Sequence, residues 1–167
     1  LKNVTRLSLQ EPAHIRYATT AASVSQSCFA DGEIRLCLAG AQASDGALRA
    51  DYSLRQVPLA LANALAPGTL PFAIDGNIAG NGHVERSAQG MFGGQLRLSS
   101  NDGKLAQPAG SASAAPQTLL TYQDLQLTAD LSGAAAALTV RTRLDQQGSL
   151  AADLQIDGLD SAAINSA

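Results

Sequence analysis

The sequence predicts an all-β protein, extended rather than globular, that shelters one continuous apolar face. Three observations carry this expectation. Apolar and polar residues alternate with period two in run after run, the signature of half-buried strands. Asp-Gly, a strong short hairpin signal because Gly tolerates positive φ, occurs five times, at 31–32, 45–46, 75–76, 102–103 and 157–158. Large apolar side chains are scarce, with 24 Leu, 6 Ile, 5 Val, 3 Phe and no Trp in 167 residues. That total stands just above the level of roughly 20% at which disorder becomes the default. Such a chain must spend its large side chains on one face, so a thick core is not expected.

The first element is a hairpin. Cys28 and Cys37 flank Phe29-Ala-Asp-Gly-Glu-Ile-Arg-Leu36. A turn at Gly32-Glu33 sets the two cysteines directly opposite each other, whereas a turn at Asp31-Gly32 sets Cys28 against Arg35 and makes any bridge diagonal. A disulfide is the expected pairing, and it implies an oxidising compartment such as a periplasm. Next, Leu48, Ala50, Tyr52 and Leu54 alternate with Arg49, Asp51, Ser53 and Arg55. The segment 58–66 breaks the pattern. Pro58 at a first helical position, good helix formers after it and Pro67-Gly68 beyond predict a short helix.

Alternation resumes in Phe72-Ala-Ile74-Asp-Gly76-Asn-Ile78-Ala-Gly80 and runs straight through the Asp-Gly at 75–76. A bulge or close backbone approach is expected there in place of a turn. Phe92, Gly94, Leu96 and Leu98 form another strand, and residues 106–117, rich in Ala, Ser and Pro, are expected to form a flexible loop. Leu125, Leu127, Ala129 and Leu131, then Leu138, Val140, Thr142 and Leu144, then Leu150, Ala152, Leu154 and Ile156 complete the set. Ala47–Leu54 and Ser149–Ile156 share the pattern small-Leu-x-Ala-Asp-apolar-polar-apolar, as stacking of one strand type along an axis would give.

Chemistry is sparse. His14 and His83 stand among polar or glycine-rich neighbours, no Gly-x-Ser-x-Gly elbow exposes a serine, and Glu11, Glu33 and Glu85 are isolated. No catalytic residues, no cofactor and no metal site are expected, since two cysteines and two histidines cannot furnish a zinc site once the cysteines pair. A net charge of −3 with both signs dispersed excludes a nucleic-acid partner, which needs a clustered basic surface. No run approaches the roughly 18 apolar residues of a membrane-spanning helix. The Leu-rich, aromatic-poor strands favour an open aliphatic groove, and a closed β-sandwich serving as a structural or interaction module of a secreted or periplasmic protein is the alternative. The whole chain, 1–167, reads as one β-rich piece of a larger protein.

Three stretches carry a family resemblance. They are Cys28 with Arg35-Leu36-Cys37-Leu38-Ala-Gly40, then Leu48-x-Ala50-Asp-Tyr52-x-Leu54-x-x-Val57-Pro58-Leu59-x-Leu61, and Ile74-Asp-Gly76-x-Ile78-x-Gly80. In this order they resemble the TamB family (DUF490, AsmA-like), best over residues 28–100 and in its C-terminal region. The resemblance implies a β-taco, a folded-over sheet with a hydrophobic groove, in the periplasmic part of an inner-membrane-anchored protein of a Gram-negative bacterium. It further implies a role in outer-membrane biogenesis: phospholipid transport between the two membranes, or chaperoning of outer-membrane β-barrel proteins such as autotransporters. The implied partners are phospholipid acyl chains or unfolded outer-membrane protein strands. TamA, an Omp85-type outer-membrane protein, would be met through the full-length protein. The expected groove lining is Leu48, Tyr52, Leu54, Leu70, Phe72, Ile74, Ile78, Phe92, Leu96, Leu98, Leu125, Leu127, Leu131, Leu138, Val140, Leu144, Leu150, Leu154 and Ile156.

Overall fold

The computed structural model describes residues 6–61, 73–107, 117–145 and 148–158. Ten strands form a single antiparallel sheet: β1 (Ser8–Leu9), β2 (Ile15–Tyr17), β3 (Ala22–Asp31), β4 (Ile34–Gln42), β5 (Leu48–Pro58), β6 (Ala73–Arg86), β7 (Phe92–Gln107), β8 (Gln117–Gly133), β9 (Ala135–Leu144) and β10 (Gly148–Asp157). From β3 to β10 each strand pairs with its successor, while β1 and β2 share the outer edge of β3. Substantial contacts among the described residues join only hydrogen-bonded neighbours. The sheet is therefore open and elongated, consistent with a folded-over sheet, and no second sheet covers it among those residues. Among the described residues the architecture is not a closed sandwich.

Turn chemistry explains the meander. Gly32-Glu33 makes the two-residue β3–β4 turn, with Gly32 at φ 60°, and this sets Cys28 opposite Cys37. Gly46, at φ 86°, closes the β4–β5 loop, where the Asp45 carboxylate accepts from the Ala47 N–H. At β6–β7 the Ser87 hydroxyl accepts from the Met91 N–H. Three sequence expectations need correction here. Asp102-Gly103 lies inside β7, not in a hairpin turn, because tight pairing with β6 and β8 carries the strand through it. Pro58 ends β5 opposite Asn77, so it does not start a helix; the backbone is helical at Ala60 and Leu61, and the rest of 58–66 lies outside the described residues. Of the expected 106–117 loop, Ala106, Gln107 and Gln117 belong to strands, and 108–116 lie outside the described residues.

Bulges shape the sheet. In β5, Leu54 pairs Gly80 but Val57 pairs Ile78, so β5 holds one extra residue and Gln56 sits at φ 50°. In β7, Ser99 pairs Ala79 but Gly103 pairs Gly76. In β8, Gln126 pairs Arg141 but Gln123 pairs Arg143, with Asp124 at φ 49°. The pairs Ala79–Ser99 and Ser100–Leu125 set these irregularities side by side, in a line running across the strands. A bulge bends its strand and tightens its twist. It also shifts the phase of alternation by one residue, so the apolar set changes parity at the line and stays on one face.

Candidate functional site: an open apolar face

Each residue's face follows from alternation along its strand and from its direct cross-strand partner. The chain Phe29–Leu36–Leu54–Gly80–Leu98–Leu127–Val140–Ala152 crosses the sheet from β3 to β10 on one side. All the expected lining residues within the described part lie on that side: Leu48, Tyr52 and Leu54 of β5; Ile74 and Ile78 of β6; Phe92, Leu96 and Leu98 of β7; Leu125, Leu127 and Leu131 of β8; Leu138, Val140 and Leu144 of β9; Leu150, Leu154 and Ile156 of β10. Leu70 and Phe72 lie outside the described residues. The other side carries Arg49, Asp51, His83, Gln95, Arg97, Asp130, Thr139, Arg141 and Asp153.

Sequence reasoning missed part of this face. Val24, Phe29, Leu36 and Leu38 share it, as do Val84, Leu105 and Tyr122. Leu105 and Tyr122 escaped notice because they lie beyond the bulge line, where parity is reversed. Ile15 and Tyr17 escaped because β2 has only three residues, too few to display alternation.

Exposure shows how thin the burial is. No described side chain is completely buried, and Ile15, Tyr17 and Leu154 are 71%, 83% and 52% exposed. Tyr122, Ser100 and Thr142, at 5%, 3% and 8%, are among the few buried residues, and all three lie on the bulge line. There the Tyr122 ring covers Gly103 and Gly76, and its hydroxyl donates to the Asp75 carbonyl at 3.2 Å. A side chain at Gly103 would collide with the ring, which is why glycine stands there. The Tyr52 ring likewise lies over Gly82. Burial, partly offset by the Arg97 backbone, pushes the Tyr52 phenol above its ordinary value, and its hydroxyl closes no hydrogen bond of good geometry. Ser100 and Thr142 hydroxyls donate to the Asp102 and Gln123 carbonyls, so the polar groups of the line are satisfied locally.

A cavity of ≈ 450 Å³ is lined by Ile15, Val24, Gly40, Leu48, Val84 and Phe92, which come from six successive strands. Laid flat, six strands would span roughly 24 Å, so the sheet must curl to bring them around one space. A second space of ≈ 730 Å³ at the same strand ends is lined mostly from the polar side, along the register row Ala41, Arg49, Glu85, Gly93 and Ser132.

The polar side is held by side-chain pairs within and between strands. Within β5, Arg49 Nε and Nη2 make three hydrogen bonds to the Asp51 carboxylate, at 2.9–3.2 Å, and across to β6 Arg49 lies 3.6 Å from Glu85. The hydrogen bond from Arg49 holds the Asp51 carboxyl below its ordinary range. Gln95 donates to Asp130 at 2.6 Å, Thr139 donates to Asp153 at 2.8 Å, and Arg143 pairs with Asp124. Cys28 and Cys37 are disulfide-bonded on this side. His14 sits exposed before β2, and His83 lies opposite Asp51 and Gln95 on the polar side, so the structure does not bring the two histidines together. Among the described residues no group of three or more His, Cys, Asp or Glu is arranged to hold a metal. No helix among them is long and apolar enough to cross a membrane.

A protein-family model described as TamB, N-terminal domain matches residues 2–165. No curated protein and no solved structure matches the chain. The description names the N-terminal domain where the sequence resemblance had pointed to the C-terminal region. Strands of one type stacked along an axis look alike at every level, so local motifs carry the family more faithfully than the position within it. Because the match takes in nearly the whole sequence, the chain belongs to the TamB family, envelope proteins of outer-membrane biogenesis.

Proposed function

We propose that this chain is a non-enzymatic conduit segment, whose concave apolar face holds phospholipid acyl chains moving between the inner and outer membranes. One observation carries the reading: the register aligns aliphatic side chains from every strand on one face, with no layer covering it among the described residues. A monomeric protein rarely leaves so large an apolar surface in water without using it. Burying a CH₂ is worth about 0.8 kcal/mol, so a lipid tail gains from such a face about what it gains from a bilayer. Passage along it is then nearly isoenergetic and needs few specific contacts.

A second cargo, an unfolded outer-membrane protein strand such as an autotransporter segment, is favoured by β10. Its ten residues are exposed throughout and its outer edge is unpaired among the described residues. A transmembrane β-strand of about 9–11 residues would match its length. We assign TamA, the Omp85-type partner, to the full-length protein, and this chain to the periplasmic part of an inner-membrane-anchored protein.

The test is Leu96→Arg, which sets a charge in mid-face, alongside Arg97→Leu on the polar side. The account expects Leu96→Arg to abolish lipid binding while circular dichroism shows a folded sheet, and Arg97→Leu to leave it intact. Equal binding by the folded Leu96→Arg protein would sink the conduit reading.

A further inference from the structure

Arg86 stands out on the apolar face. It pairs with Leu48 on one side and Phe92 on the other, which puts it on the face of Val84, Ala50 and Leu96. Among the strand residues described, it is the only Lys or Arg that register places there. At the strand ends it lines the ≈ 450 Å³ cavity of the apolar face, and it also touches the ≈ 730 Å³ space that is lined mostly from the polar side. Its guanidinium lies beside the Gly90 turn, where a Cβ on Gly90 would be 3.5 Å from Nη2.

The other charged residues at these spaces, Arg49 and Glu85, belong by register to the polar side. Arg49 is held by Asp51 at 2.9 Å and by Glu85 at 3.6 Å. Arg86 forms no ion pair with any described residue. The rim of the apolar face thus presents one cation whose charge is not neutralised within the described structure. Below it lies a floor of Leu48, Val84 and Phe92.

We infer that Arg86 is a headgroup site for an anionic phospholipid, its phosphate on the guanidinium and its acyl chain on the floor beneath. This rests on the conduit reading and adds to it a place and a charge preference. A guanidinium presents a fork of N–H donors that suits a phosphate oxygen pair. A zwitterionic headgroup would bring its own cation to the same rim and gain less. At an exposed rim the preference is modest, about two- to fivefold in affinity, and salt should screen it.

The experiment titrates the oxidised chain with monoacyl phosphatidylglycerol and with monoacyl phosphatidylcholine of the same chain length, each below its micelle concentration, and reads affinity by native mass spectrometry. The inference expects tighter binding of the glycerol lipid, loss of that difference in Arg86→Gln with phosphatidylcholine affinity unchanged, and its retention in Arg86→Lys. A preference that survives Arg86→Gln, or its absence from the unmodified chain, overturns the headgroup site and leaves the conduit standing. Failure of the unmodified chain to bind either lipid overturns the conduit reading itself.

Discussion

The middle of the sheet and its β10 edge are written in the same alternating code and have opposite fates. At the bulge line Tyr122 is 5% exposed, packed on two glycines and hydrogen-bonded to the Asp75 carbonyl. On β10, Leu150, Leu154 and Ile156 keep the same face and the same alternation yet are 40–52% exposed. Alternation decides the face and says nothing of what lies above it. Burial in this molecule comes from bending, and bending comes from bulges and glycines.

That contrast can be broken most severely at Gly103. Replacing it with Val forces a branched side chain into the Tyr122 ring, and we expect a loss of about 3 kcal/mol or more, measured by urea denaturation. Next comes the Cys28–Cys37 bridge, which closes a short loop on the polar side of β3 and β4. Changing both cysteines to Ser should lower stability by about 2–3 kcal/mol, with reduction of the native chain giving a similar shift. Tyr122→Phe keeps the ring over its glycines and removes only the hydroxyl's bond to Asp75, so a drop of about 1 kcal/mol is expected. Leu154→Ser, on the exposed edge, should cost no more than about 0.5 kcal/mol. If Leu154→Ser proves as damaging as Gly103→Val, the edge is packed and the contrast is mistaken.

Much of the fold was legible because each long strand advertises itself. Leu48–Leu54, Phe92–Leu98 and Leu150–Ile156 alternate cleanly, and the cysteine spacing allowed the direct pairing that the Gly32-Glu33 turn delivers. The bulge line was hidden. Gln56 and Asp124 adopt positive φ without being glycine, so no composition cue marks them. Asp102-Gly103 reads as a hairpin signal, but the hydrogen bonds gained on both sides of β7 outweigh its turn preference. β1 and β2 are too short for a periodicity to show, and their order on one edge of β3 follows from pairing alone. Of the candidate site, the identity of the face could be read from sequence. Its curvature could not, and neither could the single cation at its rim, because Arg86 is charged and falls at the end of a glycine-rich strand.

The two faces also differ at adjacent positions of one strand, and that difference gives the most direct test. A photo-crosslinking amino acid is placed at Leu96, on the apolar face, and in a second protein at Arg97, on the polar face. Both proteins are made in cells whose phospholipids are labelled, and lipid adducts are counted after irradiation. The account predicts adducts at Leu96 and background at Arg97. Equal labelling at both positions, or none at Leu96 in a folded protein, would contradict the claim that the apolar face carries lipid.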